Sequence, residues 1–135
     1  MINWGIIGFG RMGSQYFNAF EKKSSSFNLV GIASKSKKNF KNTKGQIVFF
    51  ENYYDLIKSD AINAIYISTL NNSHKELVIE ASKYNKKILC EKPLGLTFDE
   101  VKDMHFYLKD KKNFFFEAIA YRSHPQTKAL LEILK

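Results

Sequence analysis

The chain has 135 residues but only one cysteine, Cys90. A single cysteine excludes an intrachain disulfide and cannot build a thiolate metal site. That pattern fits a reducing, cytoplasmic setting. No apolar run approaches the roughly 20 residues that span a bilayer. Met1-Ile2-Asn3-Trp4 has no basic flank and glycine soon interrupts the apolar stretch, so no signal peptide is expected there. Internal repeats, low-complexity segments and linkers are missing as well. Disorder is excluded as the main state, because 44% of the residues are hydrophobic and a chain of this length can bury a core. Acids are scarce in one place. Between Glu21 and Glu51 there is none, against seven lysines at 22, 23, 35, 37, 38, 41 and 44. The overall charge is +8, most of which reads as a solvated surface. The clustered lysines set a positive field that suits a phosphorylated ligand. Nucleic acid would suit it too, but no helix-turn-helix, zinc-finger or aromatic RNP pattern accompanies the charge.

What is present alternates between strand and helix. Apolar runs predict strands at Ile2 to Ile7, Leu29 to Ala33, Ile47 to Phe50, Ala64 to Ser68, Lys87 to Cys90 and Asn113 to Ala120. Helical spacing follows Met12, Tyr16, Ala19 and Phe20, and a short helix is expected from Asn52 to Ser59 and another within Ser34 to Gln46. Three sequences read as capping boxes that open helices: Ser73-His74-Lys75-Glu76, Thr97-Phe98-Asp99-Glu100 and Ser123-His124-Pro125-Gln126. The strands are continuous rather than alternating apolar runs, as in a sheet buried on both faces. The expectation is an α/β, doubly wound parallel sheet of the Rossmann type.

Two motifs carry chemistry. The first strand runs directly into Gly8-Phe9-Gly10-Arg11-Met12-Gly13, a G-x-G-x-x-G that opens a helix. Such a loop presents bare backbone N–H groups to a pyrophosphate, with one glycine for the turn, one for close approach and one for helix packing. The second strand normally ends in an acid that holds the ribose of NAD. Here it ends in Ser34 and Lys35, with Lys38 following, and no carboxylate is available. A hydroxyl and ammonium groups suit a 2′-phosphate, which favours NADP over NAD. The second motif, Glu91-Lys92-Pro93, closes the fifth strand at the edge where α/β sheets bind ligands. Proline holds Lys92 extended at a rigid corner. A lysine there can polarise a carbonyl or pass a proton, with Glu91 to orient it. A plain turn with a surface ion pair is the competing reading. His105, His124 and Cys90 read as structural or local, and the phenylalanines as core.

At these residues the chain resembles the Gfo/Idh/MocA oxidoreductases. The resemblance rests on the glycine loop, on Thr69-Leu70-Asn71 with His74, and on Leu89-Cys90-Glu91-Lys92-Pro93-Leu94-Gly95. Glu117-Ala118 and Tyr121-Arg122-Ser123-His124-Pro125-Gln126 are similar to the segment that leaves the family's nucleotide domain. It implies NAD(P)-dependent hydride transfer on sugars, polyols, dihydrodiols or related compounds. It also implies cofactor contacts at Thr69, Leu70, Asn71, His74, Glu91 and Arg122, a catalytic role for Lys92, and a cis Lys92–Pro93 bond. Leu70 departs from the family, which has proline there, and this predicts a less rigid loop. The family's second domain, with its substrate pocket and Asp/His pair, has no counterpart in these 135 residues. The expected division is a dinucleotide domain over residues 1–120 and the start of a connection over residues 121–135. Two functions follow: an oxidoreductase or its nucleotide-binding portion, and a module that binds NADP without turnover. Apolar surface left by the missing domain, around Leu130, Leu131 and Leu134, would favour self-association.

Overall fold

A computed structural model describes residues 1–20, 26–35, 47–109 and 114–134. The apolar runs form six strands: β1 (Ile2–Ile7), β2 (Phe27–Ala33), β3 (Val48–Phe50), β4 (Ala64–Ile67), β5 (Lys87–Cys90) and β6 (Phe115–Glu117). They make one sheet in the order β3-β2-β1-β4-β5-β6, and every neighbouring pair is parallel. The order reverses direction between β1 and β4. Their carboxyl ends therefore splay their loops apart and open a crevice, the usual ligand position in such sheets.

Among the described residues there are five α-helices: α1 (Arg11–Phe20), α2 (Tyr53–Lys58), α3 (His74–Lys83), α4 (Phe98–Leu108) and α5 (Pro125–Ile133). Successive strand residues face opposite ways, so the core has two halves. Ile7, Ile65, Ile67, Ile88 and Cys90 pack on one side with Leu56, Val78, Ala81 and Met104 from α2, α3 and α4. Ile6, Ile32 and Tyr66 pack on the other with Phe9 and with Tyr16, Phe17 and Phe20 around α1. All four residues of β4 are buried, as its unbroken apolar run requires.

The helix starts are only partly those expected. Thr97 caps α4 by accepting from the Glu100 N–H at 3.2 Å, and Glu100 returns a bond to Leu96 N at 2.7 Å. Ser73 makes no cap. Its hydroxyl lies 2.8 Å from both Thr69 Oγ1 and the Leu70 carbonyl, inside a 3₁₀ turn over Asn71–Ser73. Ser123 likewise ends a 3₁₀ turn over Ala120–Ser123, and His124 caps α5 through Nδ1, which accepts from Gln126 N at 3.2 Å. Ser73 stands at the N-cap of α3, but its hydroxyl bonds back into the preceding tight turn; Ser123 stands one residue before the cap of α5. β6 is shorter than its apolar run, because the chain turns at once, with Ile119 N donating to Glu117 O. The short helix expected between Ser34 and Gln46 falls, beyond Lys35, outside the described residues.

Among the described residues no helix is long and apolar enough to cross a membrane. On the side of the sheet that faces α1, Tyr66 of β4 is covered by Tyr16, while Phe116 of β6 is exposed. An open cavity of about 410 Å³ lies there, between Met12 and Tyr16 of α1 and Leu89, Phe116 and Ala118 of the sheet. Helix α5 packs on the 3₁₀ turn before it and leaves Leu130, Leu131, Ile133 and Leu134 more than half exposed.

Candidate cofactor site

The glycine loop sits where β1 meets α1, and each glycine has a different reason to be there. Gly8 has φ +88°, a conformation that favours glycine, and its N–H donates to Ala33 O at 2.9 Å. A Cβ on Gly13 would lie 2.2 Å from the Gly8 carbonyl oxygen, so the first turn of α1 rests directly on the loop. A Cβ on Gly10 would meet no atom within 4 Å. Gly10 thus faces open space, and its carbonyl closes the first helical bond to Ser14 N at 2.9 Å. The first-turn N–H groups of Arg11 and Met12 have no intrahelical acceptor, and the helix dipole adds positive potential beside them. No acid occupies the first turn of α1. Open space over Gly10 beside unpaired donors fits the pyrophosphate of a dinucleotide.

Ser68 braces this loop from β4. Its N–H donates to Ile7 O and its Oγ lies 2.8 Å from Gly8 O. At the end of β2, Ser34 is half-buried and Lys35 is exposed. Neither they nor the strand end offers a carboxylate; Lys38 lies outside the described residues.

After β4, Thr69 and Asn71 are half-buried and Leu70 points into solvent at 77% exposure. Leu70 has φ −68° and ψ 143°, the backbone conformation proline itself would take. Ser73 holds it there through N–H and hydroxyl contacts to the Leu70 carbonyl. The loop expected to be looser is therefore held in proline-like geometry by hydrogen bonds. His74 is buried behind it. Its Nδ1 lies 3.1 Å from Pro93 O and its Nε2 3.2 Å from Thr69 O, so it laces the β4 loop to the β5 corner.

At that corner the Lys92–Pro93 bond is cis. Glu91 is buried, and its carboxylate accepts from the Tyr66 hydroxyl and from the Lys92 backbone N–H. Glu91 thus contacts Lys92 through the main chain, with no ion pair between the two side chains. The Lys92 side chain is exposed at the carboxyl edge. Glu117, paired in register with Cys90, accepts from Leu94 N at 3.1 Å and ties the β6 end to the same corner. Arg122 lies exposed in the turn beyond β6. Burial, then the charges of Glu91 and Glu117, push the Cys90 thiol up to about 12, so it stays protonated and inert. Among the described residues no three His, Cys, Asp or Glu side chains group as a metal site.

Ser68, Tyr66 and Glu117 are the contributors that motif reading misses. Ser68 and Tyr66 carry no signal beyond membership of an apolar strand. Glu117 was visible only as part of a segment.

Residues 2–119 match the family described as an oxidoreductase family with an NAD-binding Rossmann fold, Gfo/Idh/MocA. The trans-1,2-dihydrobenzene-1,2-diol dehydrogenase of Bos taurus is 28% identical over 137 aligned positions, covering 98% of this chain and 41% of that protein. The rabbit (Oryctolagus cuniculus) enzyme of the same name is 31% identical over 109 positions, 78% of this chain and 33% of its own. The crystal structure of myo-inositol 2-dehydrogenase from Lactobacillus plantarum superposes with a TM-score of 0.89 at 28% identity, over 98% of this chain and 40% of that one. A scyllo-inositol dehydrogenase from Lactobacillus casei, solved with NAD(H) and scyllo-inositol, shares the fold with a TM-score of 0.87 at 21% identity, over 99% of this chain and 41% of that one. The chain thus spans about two fifths of the length of these relatives. With the glycine loop, the sheet order and the match over nearly all its length in agreement, the chain belongs to the Gfo/Idh/MocA oxidoreductase family, over that family's NAD-binding Rossmann domain.

Proposed function

We propose that the chain is the dinucleotide-binding part of an NADP-dependent oxidoreductase, one that moves a hydride to or from a sugar, polyol, dihydrodiol or related hydroxy or carbonyl compound. The observation that carries this reading is the open space over Gly10, beside the N–H groups of Arg11 and Met12, which have no acceptor among the described residues, and on the same sheet edge as Lys92. The cofactor, when bound, supplies the hydride; the protein binds and orients it. Phe9 to Gly13 hold the pyrophosphate. Ser34, Lys35 and Lys38 favour a 2′-phosphate, since no acid stands at the end of β2. Thr69, Leu70 and Asn71 form the adjacent wall, with Glu91 and Arg122 beyond it and His74 shaping it from behind. Lys92 stabilises charge on the reacting oxygen or moves a proton at its Nζ. Residues 1–120 are the cofactor domain, and residues 121–135 begin a connection, in keeping with the sparse packing of α5. The lone buried cysteine supports a cytoplasmic setting, and the exposed leucines of α5 support self-association.

Calorimetric titration with NADP and NAD on one preparation tests the cofactor reading. NADP binds more tightly, and Lys35→Glu reverses or removes the difference. Equal or tighter binding of NAD by the parent chain refutes it. A second reading, a module that binds NADP without turnover, rests on Lys92 being the single catalytic group carried over. A screen of polyols, aldoses and dihydrodiols with NADP separates the two, and a robust Lys92-dependent rate excludes the module.

A further inference from the structure

Strand β4 is aliphatic but for Tyr66, which stands 2% exposed between Ile65 and Ile67. A phenylalanine would fill that space without burying a hydroxyl, and a buried hydroxyl is costly unless it is hydrogen-bonded. The Tyr66 hydroxyl donates to Glu91 Oε1. On its other side the ring stacks on Tyr16 of α1, with centroids 4.0 Å apart and planes 27° from parallel, so it has no room to swing away. Burial, followed by the bond to Glu91, raises the Tyr66 phenol well above its ordinary range, which keeps it a donor.

Glu91 presents the matching puzzle. It is 8% exposed, yet among the described residues no lysine, arginine or histidine forms an ion pair with it. A buried carboxylate without a cation is expensive to keep. Its two oxygens each have one donor: the Tyr66 hydroxyl on Oε1 and the Lys92 backbone N–H on Oε2, at 3.2 Å. Two donors fix both the position and the plane of the carboxylate. With either one removed, the group is free to turn about its remaining bond.

We propose that Tyr66 is a positioning residue for the Lys92 corner: its hydroxyl fixes the Glu91 carboxylate, and Glu91 holds the Lys92 peptide, so that the Lys92 side chain leaves the end of β5 in one direction. The functional value of this linkage rests on the reading of Lys92 as the group that meets the reacting oxygen. The linkage itself is measurable without that reading. Tyr16 belongs to the helix that opens on the glycine loop, so the stack also ties the cofactor helix to the same corner.

The test is amide hydrogen exchange of the ¹⁵N-labelled full chain, read at single residues. Tyr66→Phe keeps the ring and its stack and removes only the donor. Exchange at the Lys92 amide rises by about fivefold, the weight of one ordinary hydrogen bond, and its resonance shifts, while the Ile67 and Cys90 amides stay as in the parent. Glu91→Gln gives the same local change and serves if Tyr66→Phe does not fold. Tyr16→Phe, which retains the stack, leaves the Lys92 amide unmoved. An unchanged Lys92 amide in both Tyr66→Phe and Glu91→Gln overturns the proposal. So does acceleration spread evenly along β4 and β5, which marks a merely structural role. A failure of Lys92→Met to alter any NADP-dependent rate strikes the function of Lys92 and leaves the exchange result standing, so the two readings fail separately.

Discussion

Replacing each glycine of the loop by alanine adds the same methyl group at positions where the structure assigns it opposite consequences. At Gly13 the new Cβ would lie 2.2 Å from the Gly8 carbonyl oxygen, more than 1 Å inside contact distance, and its neighbour is main chain rather than a flexible side chain. That oxygen is also held by Ser68 Oγ at 2.8 Å, so it has little freedom to move. Alanine gains about 1 kcal/mol of helix propensity over glycine, but forced overpacking of this kind costs about 1–3 kcal/mol and sometimes more. Displacing a braced backbone carbonyl belongs at the upper end, so the net loss is about 2 kcal/mol. In a domain of this size that lowers the thermal midpoint by roughly 7 °C. At Gly10 the Cβ meets no atom of the protein. Folding loses only the few tenths to about 1 kcal/mol that separate glycine from alanine at a helix N-cap. The methyl group instead enters the space read as the approach of the dinucleotide, and Gly10→Val fills it further. Scanning calorimetry and a titration with NADP on the same preparations separate the two. Gly13→Ala melts early; Gly10→Val melts within a few degrees of the parent and binds NADP at least tenfold more weakly, a loss of about 1.4 kcal/mol. Unchanged NADP affinity in Gly10→Val refutes the site. An undiminished melting point in Gly13→Ala refutes the packing argument.

Leu70 already has the φ of proline, and its N–H has no hydrogen-bond partner among the described residues. Leu70→Pro therefore stabilises the chain by about 0.4–1 kcal/mol, by restricting the unfolded state, and chemical denaturation reads the gain. Cys90, with its thiol pushed up to about 12, does not react with a disulfide reagent at pH 8 until the protein is unfolded; rapid labelling of the native chain contradicts this. Because the folded pKa is raised, the contribution of Cys90 is intact below the ordinary thiol value and is lost as pH climbs from about 9 toward about 12. Cys90→Ala removes that part of the alkaline decline in a pH series of melting curves. The buried Lys86 donates to the carbonyls of Ser59 and Ile62 at 2.8 and 2.7 Å. Lys86→Met leaves the Ile62 carbonyl without its donor, while Ser59 O keeps the Ile62 N–H at 3.2 Å, and costs on the order of 1–2 kcal/mol, measured by urea unfolding.

Local signals decided much of this protein from the sequence alone. The apolar runs of β1, β4 and β5 and the helical spacing of α1 are patterns within a few neighbours, and in β4 burial on both faces leaves the run unbroken. The glycine loop is legible for the same reason: strand, turn and helix follow within thirteen residues, and backbone sterics act over that distance. Even local chemistry misleads where a competing local bond exists. Ser73 and Ser123 have the composition of caps, yet the Ser73 hydroxyl bonds back into the 3₁₀ turn before its helix and Ser123 stands one residue before the cap of α5. The rest of the site was decided by which strands lie side by side. Tyr66 meets Glu91 across 25 residues, Leu94 meets Glu117 across 23, and His74 bridges Thr69 and Pro93. No spacing rule joins such residues. They meet because β4, β5 and β6 run parallel in register and end at one edge, where the polar groups buried away from water, Glu91 and His74 among them, find their partners in the neighbouring strands and loops.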